Sequence, residues 1–449
     1  MTYFDHLDVP TLKAAYPVND FVDRFRNVSR DELHALQEQR FLDLVSFAWK
    51  VPFYRRLWSN AGAKPGDIRS LDDLPKLPSY SKSDLMASVE QFPPMGDFHG
   101  RDAHDDPLPM VFHTTSGTTG RPQPLIWGPK SREVQNMLLA RIYALQGVRA
   151  DDVIHSVYGF GMVNGGHYIR EAVNHWTGAQ ILTAGTGAET PSAQQVHLMR
   201  DFGATVLVGF GDYLKRLAEV AREEGLEPGR DIKIRLISGH LGADPAEVLS
   251  DLWGGAEVFD WYGVGDTGTI AGQGPDRQGM HIFEDAQLVE VLDVDTGLAT
   301  DGPGDLVCTC LYKDDLYPVI RFNTHDVTRI LPGDNPLGLP MRRMEGFLGR
   351  SDNMVKLRGI NVFPQSIGAI LETAFPEMTG EFVCRIQEND GRTEMEVLVE
   401  ATGGNSDAMQ DLLKTRLGVQ IGVRIVAPGE TAPMTQIESR QKPIRLIKG

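Results

Sequence analysis

From residue 130 to residue 237 the chain repeats one alternation, and this limits what it can fold into more than any other feature. Helix-like stretches at 130–146, 168–177, 192–202 and 213–224 are interleaved with strand-like runs at 152–157, 179–183, 204–210 and 232–237. Repeated β-α order of this kind predicts a largely parallel sheet covered on both faces. In such sheets the loops leaving the carboxyl ends of the strands gather along one edge and carry the chemistry.

The segment just before this series is built for an anion. A short apolar run, 108–112, leads into Val111-Phe112-His113-Thr114-Thr115-Ser116-Gly117-Thr118-Thr119-Gly120-Arg121-Pro122. The glycines let backbone N–H groups converge, the hydroxyls add donors, and Arg121 brings a positive charge to the same point. A phosphate chain is the expected occupant. The loop is not a Walker loop, because Gly117 and Gly120 are too close and Arg121-Pro122 follows. Gly159-Phe160-Gly161 is not a dinucleotide fingerprint either, since its third glycine falls at Gly165, one residue late.

The flanks of the α/β series differ in texture. Residues 1–60 read as supporting helices: Ser29-Arg30-Asp31-Glu32 has capping-box spacing, and Leu33, Leu36, Phe41, Leu44, Val45 and Ala48 recur on one face. From Gly279 short strands at 281–283, 288–292, 305–310 and 319–322, separated by turns such as Asp295-Thr296-Gly297 and Asp301-Gly302-Pro303-Gly304, predict a small β-rich subdomain over about 279–348. Beyond Gly349-Arg350-Ser351-Asp352 the remaining residues alternate as a separate α+β unit. The expected architecture is α/β. It has a large N-terminal domain of layered α/β subdomains plus the β-rich subdomain (1–350), followed by a small α+β C-terminal domain (351–449).

The 449 residues agree with two to three domains. A net charge of −17 argues against nucleic acid or an anionic membrane as partner, though not against a nucleotide, which local donors can hold. No apolar run is long enough to span a bilayer and the start lacks a signal-peptide pattern, so a cytoplasmic protein is expected. Cys308 and Cys310 lie two apart on a strand with no second pair nearby and read as small core residues rather than zinc ligands.

Several separated motifs, in order and covering nearly the whole chain, resemble those of the adenylate-forming superfamily, closest to phenylacetate–CoA ligases. The loop from Thr114 to Pro122 resembles that family's phosphate loop, with Arg121 in place of lysine. Trp261-Tyr262-Gly263-Val264-Gly265-Asp266 is similar to its Tyr-Gly-x-Ser/Thr-Glu motif, with aspartate for glutamate. Pro318-Val319-Ile320-Arg321-Phe322-Asn323-Thr324-His325-Asp326 resembles its ribose-binding segment. The run from Gly349 to Pro364 is close to its hinge signature, and Ser439-Arg440-Gln441-Lys442-Pro443-Ile444-Arg445 resembles its lysine-bearing tail.

The resemblance implies ATP, Mg²⁺ and CoA as cofactors and a small aromatic carboxylic acid as substrate. Thr114, Thr115, Ser116, Gly117, Thr118, Thr119, Gly120 and Arg121 would hold phosphates. Tyr262, Gly263, Asp266 and Thr267 would hold the nucleotide, Asp266 also binding Mg²⁺, while Asp326 and Arg350 would clamp the ribose. Lys442 would bridge the carboxylate and the α-phosphate. Asp352 would be the pivot about which a mobile C-terminal domain turns, bringing Lys356 and Gly359 to the thiol. The acyl slot would run along Tyr158, Gly159, Phe160 and Gly161 with Gly239 and Gly265, and Phe210, Asn164 and His167 are further candidates. A carrier-protein thiol or an amine is the alternative acceptor to CoA, an inactive nucleotide-binding homologue is the third reading, and the oligomeric state stays open, a homodimer included.

Overall fold

The computed structural model describes residues 2–104, 107–115, 122–241, 246–358, 360–389, 392–437 and 443–448. Its centre is a nine-stranded sheet. Taken from one edge, Gln180–Thr183, Val153–Ser156, Val206–Phe210, Leu236–His240 and Glu257–Val264 run parallel. Gly268–Gln273, Met280–Ile282, Arg343–Met344 and Ile330–Leu331 continue the sheet antiparallel. The predicted parallel half is therefore present, extended by four strands that alternate in direction.

The helix Pro129–Leu145 is buried along almost its whole length, on every face, because it packs against the sheet on one side and the N-terminal helices and Asn164–Trp176 on the other. That accounts for its long mixed sequence, in which Arg132, Glu133 and Arg141 are buried but paired. In the N-terminal layer, helix Arg30–Ala48 starts as expected: Ser29 accepts from the Glu32 N–H while Glu32 accepts from the Ser29 N–H. No described helix is long and apolar enough to cross a membrane.

Two predicted strands are displaced. The run 232–237 becomes a strand only from Leu236, because residues 228–232 turn back on themselves through a Gly229 N–H to Ile232 carbonyl bond of 2.8 Å. Likewise 319–322 is not extended. Arg321 sits in the left-handed region at φ 56°, held by two 2.9 Å bonds to Glu290, and the strand Phe322–Thr328 begins after it. That strand joins Gln287–Leu292 and Gly304–Cys310 in a second sheet, with Tyr80–Ser81 and Gly349–Arg350 alongside. The strands of 279–348 thus divide between two sheets. Cys308 and Cys310 are buried there as free thiols.

Beyond residue 354 a separate apolar cluster, including Val362, Ile367, Leu371, Val397 and Leu413, lies between a four-stranded sheet and the helices Ser366–Glu372 and Ser406–Leu417. Sheet order is Gly422–Val426, Arg392–Ala401, Met378–Asn389, Leu446–Lys448. The last strand was not foreseen: three residues are too few to show a period, and its partner lies some sixty residues back. Gly368 faces Phe382, whose ring leaves no room for a Cβ.

Candidate active site

The expected anion loop is the connection of a hairpin. Val111–Thr114 and Pro124–Trp127 pair antiparallel, with Thr114 opposite Pro124. Its base is closed by a Thr115 N–H to Gln123 carbonyl bond of 3.0 Å and a Gln123 N–H to Thr115 hydroxyl bond of 3.1 Å. Ser116, Gly117, Thr118, Thr119, Gly120 and Arg121 lie outside the described residues, as do Gly359 and Lys442.

Asp266 stands beside this base, in the turn that follows Glu257–Val264. Its Oδ1 accepts from the Gln123 amide at 2.6 Å and from the Tyr317 hydroxyl at 2.9 Å, and its carbonyl accepts from Lys313 Nζ at 2.8 Å. Burial raises the Asp266 pKa against the pull of Lys313 and the two hydrogen bonds. Burial also lowers Lys313, to about 8; its ammonium lies 3.7 Å from the Trp127 ring centre and 4.2 Å from that of Tyr317. Among the described residues no three His, Cys, Asp or Glu side chains gather as a metal cage. Mg²⁺ is commonly held by one or two carboxylates plus substrate phosphates. Asp266 fits that pattern, both of its side-chain hydrogen bonds among the described residues falling on Oδ1.

A second group lies across the sheet edge. The Tyr262 hydroxyl donates to Asp326 Oδ2 at 2.7 Å, and Arg350 Nη1 donates to Asp326 Oδ1 at 2.7 Å. Asp326 and Arg350 face each other in register across adjacent strands. The same guanidinium forks onto Asp352 at 2.8 and 2.6 Å. Burial opposes the charge on Arg350, but Asp352 and Asp326 outweigh it and raise its pKa above the ordinary arginine value. Three segments that are distant in sequence thus meet as Tyr262–Asp326–Arg350–Asp352. Lys356 lies apart and reaches Asp295 at 3.3 Å. Thr267 is buried under the turn, its hydroxyl donating to the Gly268 carbonyl at 3.0 Å. Gly263 lacks room for a Cβ because the Gly268 carbonyl would be 2.4 Å from it.

The expected acyl slot is an aromatic cluster at the carboxyl ends of the parallel strands. The Tyr158 ring centre lies 4.8 Å from Phe210 and 5.9 Å from His240, and His240 is 4.0 Å from Trp261. Tyr158 is buried and its hydroxyl donates to the Gly209 carbonyl at 3.3 Å. Phe160 is half-buried, edge-on to His167 at 5.1 Å, and its N–H donates to Glu189 at 3.0 Å. Gly161, at φ 73°, has open space around it and its carbonyl meets His167 at 2.9 Å. Gly166 packs against the Gly159 carbonyl. Asn164 accepts from Arg132 at 2.5 Å. A Cβ on Gly239 would lie 2.0 Å from the Gly209 carbonyl oxygen, so this glycine is required for the two strands to approach. Gly265 faces Leu125 of the hairpin.

Gln123, Lys313, Tyr317 and His240 are the site neighbours that sequence reasoning did not single out. Gln123 follows Pro122 and Tyr317 precedes Pro318, so both flank recognised motifs. Lys313, inside Lys313-Asp314-Asp315, reads as a surface charge and carries no signal of its burial.

A model of the AMP-binding enzyme C-terminal domain matches residues 359–445. The chain is similar to the phenylacetate-coenzyme A ligase of Thermus thermophilus, 33% identical over 83% of this chain and 82% of that protein. Among solved structures, 2-hydroxyisobutyryl-CoA ligase in the postadenylation state with R3-HIB-AMP superposes with a TM-score of 0.82, at 26% identity over 95% of this chain and 91% of that one. The same ligase in the thioesterification state, with 2-HIB-AMP and CoA, gives 0.67 at 27% identity over the same shares.

Proposed function

The chain belongs to the phenylacetate–CoA ligase family of adenylate-forming enzymes, and on that premise we propose that it activates an aromatic carboxylic acid with ATP and passes the acyl group to CoA. A carboxylate is a poor acyl donor because oxide would have to leave. In the first step its oxygen attacks the α-phosphorus of ATP, a P–O bond breaks, and pyrophosphate departs. In the second, the CoA sulfur loses its proton and attacks the acyl carbon, and AMP leaves with the bonding pair. Both steps bring charged groups together, so catalysis is mainly positioning and electrostatic stabilisation.

The observation that carries the reading is the meeting, at one sheet edge, of the hydroxyl-rich hairpin's base with Asp266 and of Tyr262 with Asp326 and Arg350. In this reading Thr114 to Arg121 take the phosphates, and Tyr262 lies by the adenine. Asp326 and Arg350 hold the ribose, and Lys442 bridges carboxylate and α-phosphate. Mg²⁺, bound through Asp266, would neutralise phosphate charge. The rings of Tyr158, Phe210, His240 and Trp261 favour a flat apolar acid. Asp352 is the pivot of a domain rotation that withdraws Lys442 and presents Lys356 and Gly359 to the thiol. The higher TM-score against the postadenylation state supports an arrangement suited to the first step.

The test is pyrophosphate release from ATP with a panel of arylacetic, benzoic and small hydroxy acids, with and without CoA. Release with an aromatic acid, followed by thioester formation, is expected. Release that CoA leaves unchanged would point to a carrier-protein thiol or an amine instead, and no release with any acid would overturn the reading.

A further inference from the structure

Asp266 is one methylene shorter than the glutamate of the family pattern, yet its carboxylate is not loose. The nearer of its two donors, Gln123, is fully buried, and among the described residues its side-chain amide has Asp266 as its only hydrogen-bond partner. Through its backbone the same Gln123 forms the rung with Thr115 that closes the hydroxyl-rich loop. The other end of that hairpin strand is tied to the same point: Lys313 lies against the Trp127 ring and donates to the Asp266 carbonyl.

We infer that Asp266 is a positioning residue for the nucleotide loop. As a hydrogen-bond acceptor it holds Gln123, and with it the base of the 114–122 connection, whether or not a metal is bound. The inference rests on the reading that this loop takes the phosphates of ATP. It differs from a metal-ligand role in a measurable way, because with Mg²⁺ removed, loss of a carboxylate that only binds the metal leaves ATP affinity unchanged or raises it by removing repulsion from the phosphates, whereas loss of a loop-holding acceptor lowers it.

The experiment is calorimetric titration of ATP in excess EDTA into the unchanged full-length chain and into Gln123→Ala, Asp266→Asn and Asp266→Ala. Asparagine keeps an acceptor oxygen for Gln123, and alanine does not. A hydrogen bond to a charged, buried group typically supports about a tenfold change. Gln123→Ala and Asp266→Ala should therefore bind metal-free ATP roughly tenfold more weakly than the unchanged chain. Asp266→Asn should lie closer to the unchanged chain than to Asp266→Ala. Hydrogen exchange gives a readout independent of nucleotide: amides of 111–115 and 123–127 should exchange faster in Gln123→Ala, with those of 206–210 unaltered. Equal metal-free affinity of Gln123→Ala and the unchanged chain overturns the inference, as does equal weakening in Asp266→Asn and Asp266→Ala. If the unchanged chain binds no ATP with or without Mg²⁺, the phosphate reading itself falls.

Discussion

The contact between Arg350 and Asp326 allows a quantitative test of the proposed ribose clamp. The guanidinium approaches Asp326 Oδ1 at 2.7 Å, and the side chains are 32% and 9% exposed. At an effective dielectric of about 20, unit charges about 4 Å apart attract by roughly 4 kcal/mol. Part of that is lost in a cycle, because Arg350 is also forked onto Asp352 and Asp326 also accepts from Tyr262. A coupling of about 1.5–3 kcal/mol remains, a factor of roughly ten to a hundred and fifty. The perturbations are Arg350→Met, Asp326→Asn and the double variant, and the assay is kcat/KM for ATP in acid-dependent pyrophosphate release. Each single variant should lose about a hundredfold or more. The double variant should then be less impaired than the product of the two singles by the coupling factor. Strictly multiplicative losses would refute the claim that the two residues act as one unit on the nucleotide.

Three further outcomes follow from the geometry. Gly239→Ala puts a methyl against the Gly209 carbonyl, a contact that forces the strands apart; the thermal midpoint should fall by roughly 2–4 °C, and an unchanged midpoint would show that the sheet yields freely. Burial lowers Lys313 to about 8, so above that pH the unfolded chain keeps a proton that the folded chain has released, and stability rises with pH from about 8 towards the ordinary lysine range. Urea midpoints of the unchanged chain, taken relative to Lys313→Met, should therefore increase from pH 8 to 9.5, and a flat difference would contradict the burial. Lys442→Ala should lose adenylate formation by about a hundredfold or more while still converting a supplied acyl-adenylate and CoA to thioester; failure of both steps would end the proposed division of labour.

What the sequence disclosed, and what it hid, divides along physical lines. The parallel strands and their helices were legible because burial on one or two faces imprints a period on every turn, and the capping of Arg30–Ala48 was legible because the Ser29–Glu32 exchange is local. The start of Phe322–Thr328 was not, because the left-handed Arg321 is fixed by Glu290, thirty-one residues away. The same division holds at the site. Tyr262, Asp326 and Arg350 each sit in a recognisable motif, and the structure brings them within hydrogen-bonding distance. Lys313 is invisible in sequence because its burial is set by Trp127 and Tyr317, and a lysine beside two aspartates has the pattern of a surface turn. Gly239 was expected beside the acid. Its glycine character instead answers to the Gly209 backbone, which no linear pattern records.

The attachment of the tail bears on how the second step becomes accessible. Leu446–Lys448 pairs in parallel with Met378–Asn389, and the Arg445 carbonyl accepts from the Cys384 N–H at 2.9 Å. The Arg445 guanidinium bonds Glu381 at 2.9 and 3.1 Å and reaches Asp212, on the helix Gly211–Glu223, at 3.5 Å. Two residues, Pro443 and Ile444, separate Lys442 from Arg445, so the three Cα steps between them span at most about 10 Å when fully extended. The described part of the tail is thus stapled to its own sheet and to the larger part of the molecule. Under the proposed mechanism, withdrawing Lys442 would mean moving the sheet that carries Arg445, which would break the Asp212 contact and the neighbouring Lys215–Glu372 pair at 3.4 Å. Both contacts have partly buried partners, so breaking them in the proposed rotation would carry a cost. The strand Leu446–Lys448 is therefore the physical reason to expect the proposed rotation to carry the whole C-terminal sheet.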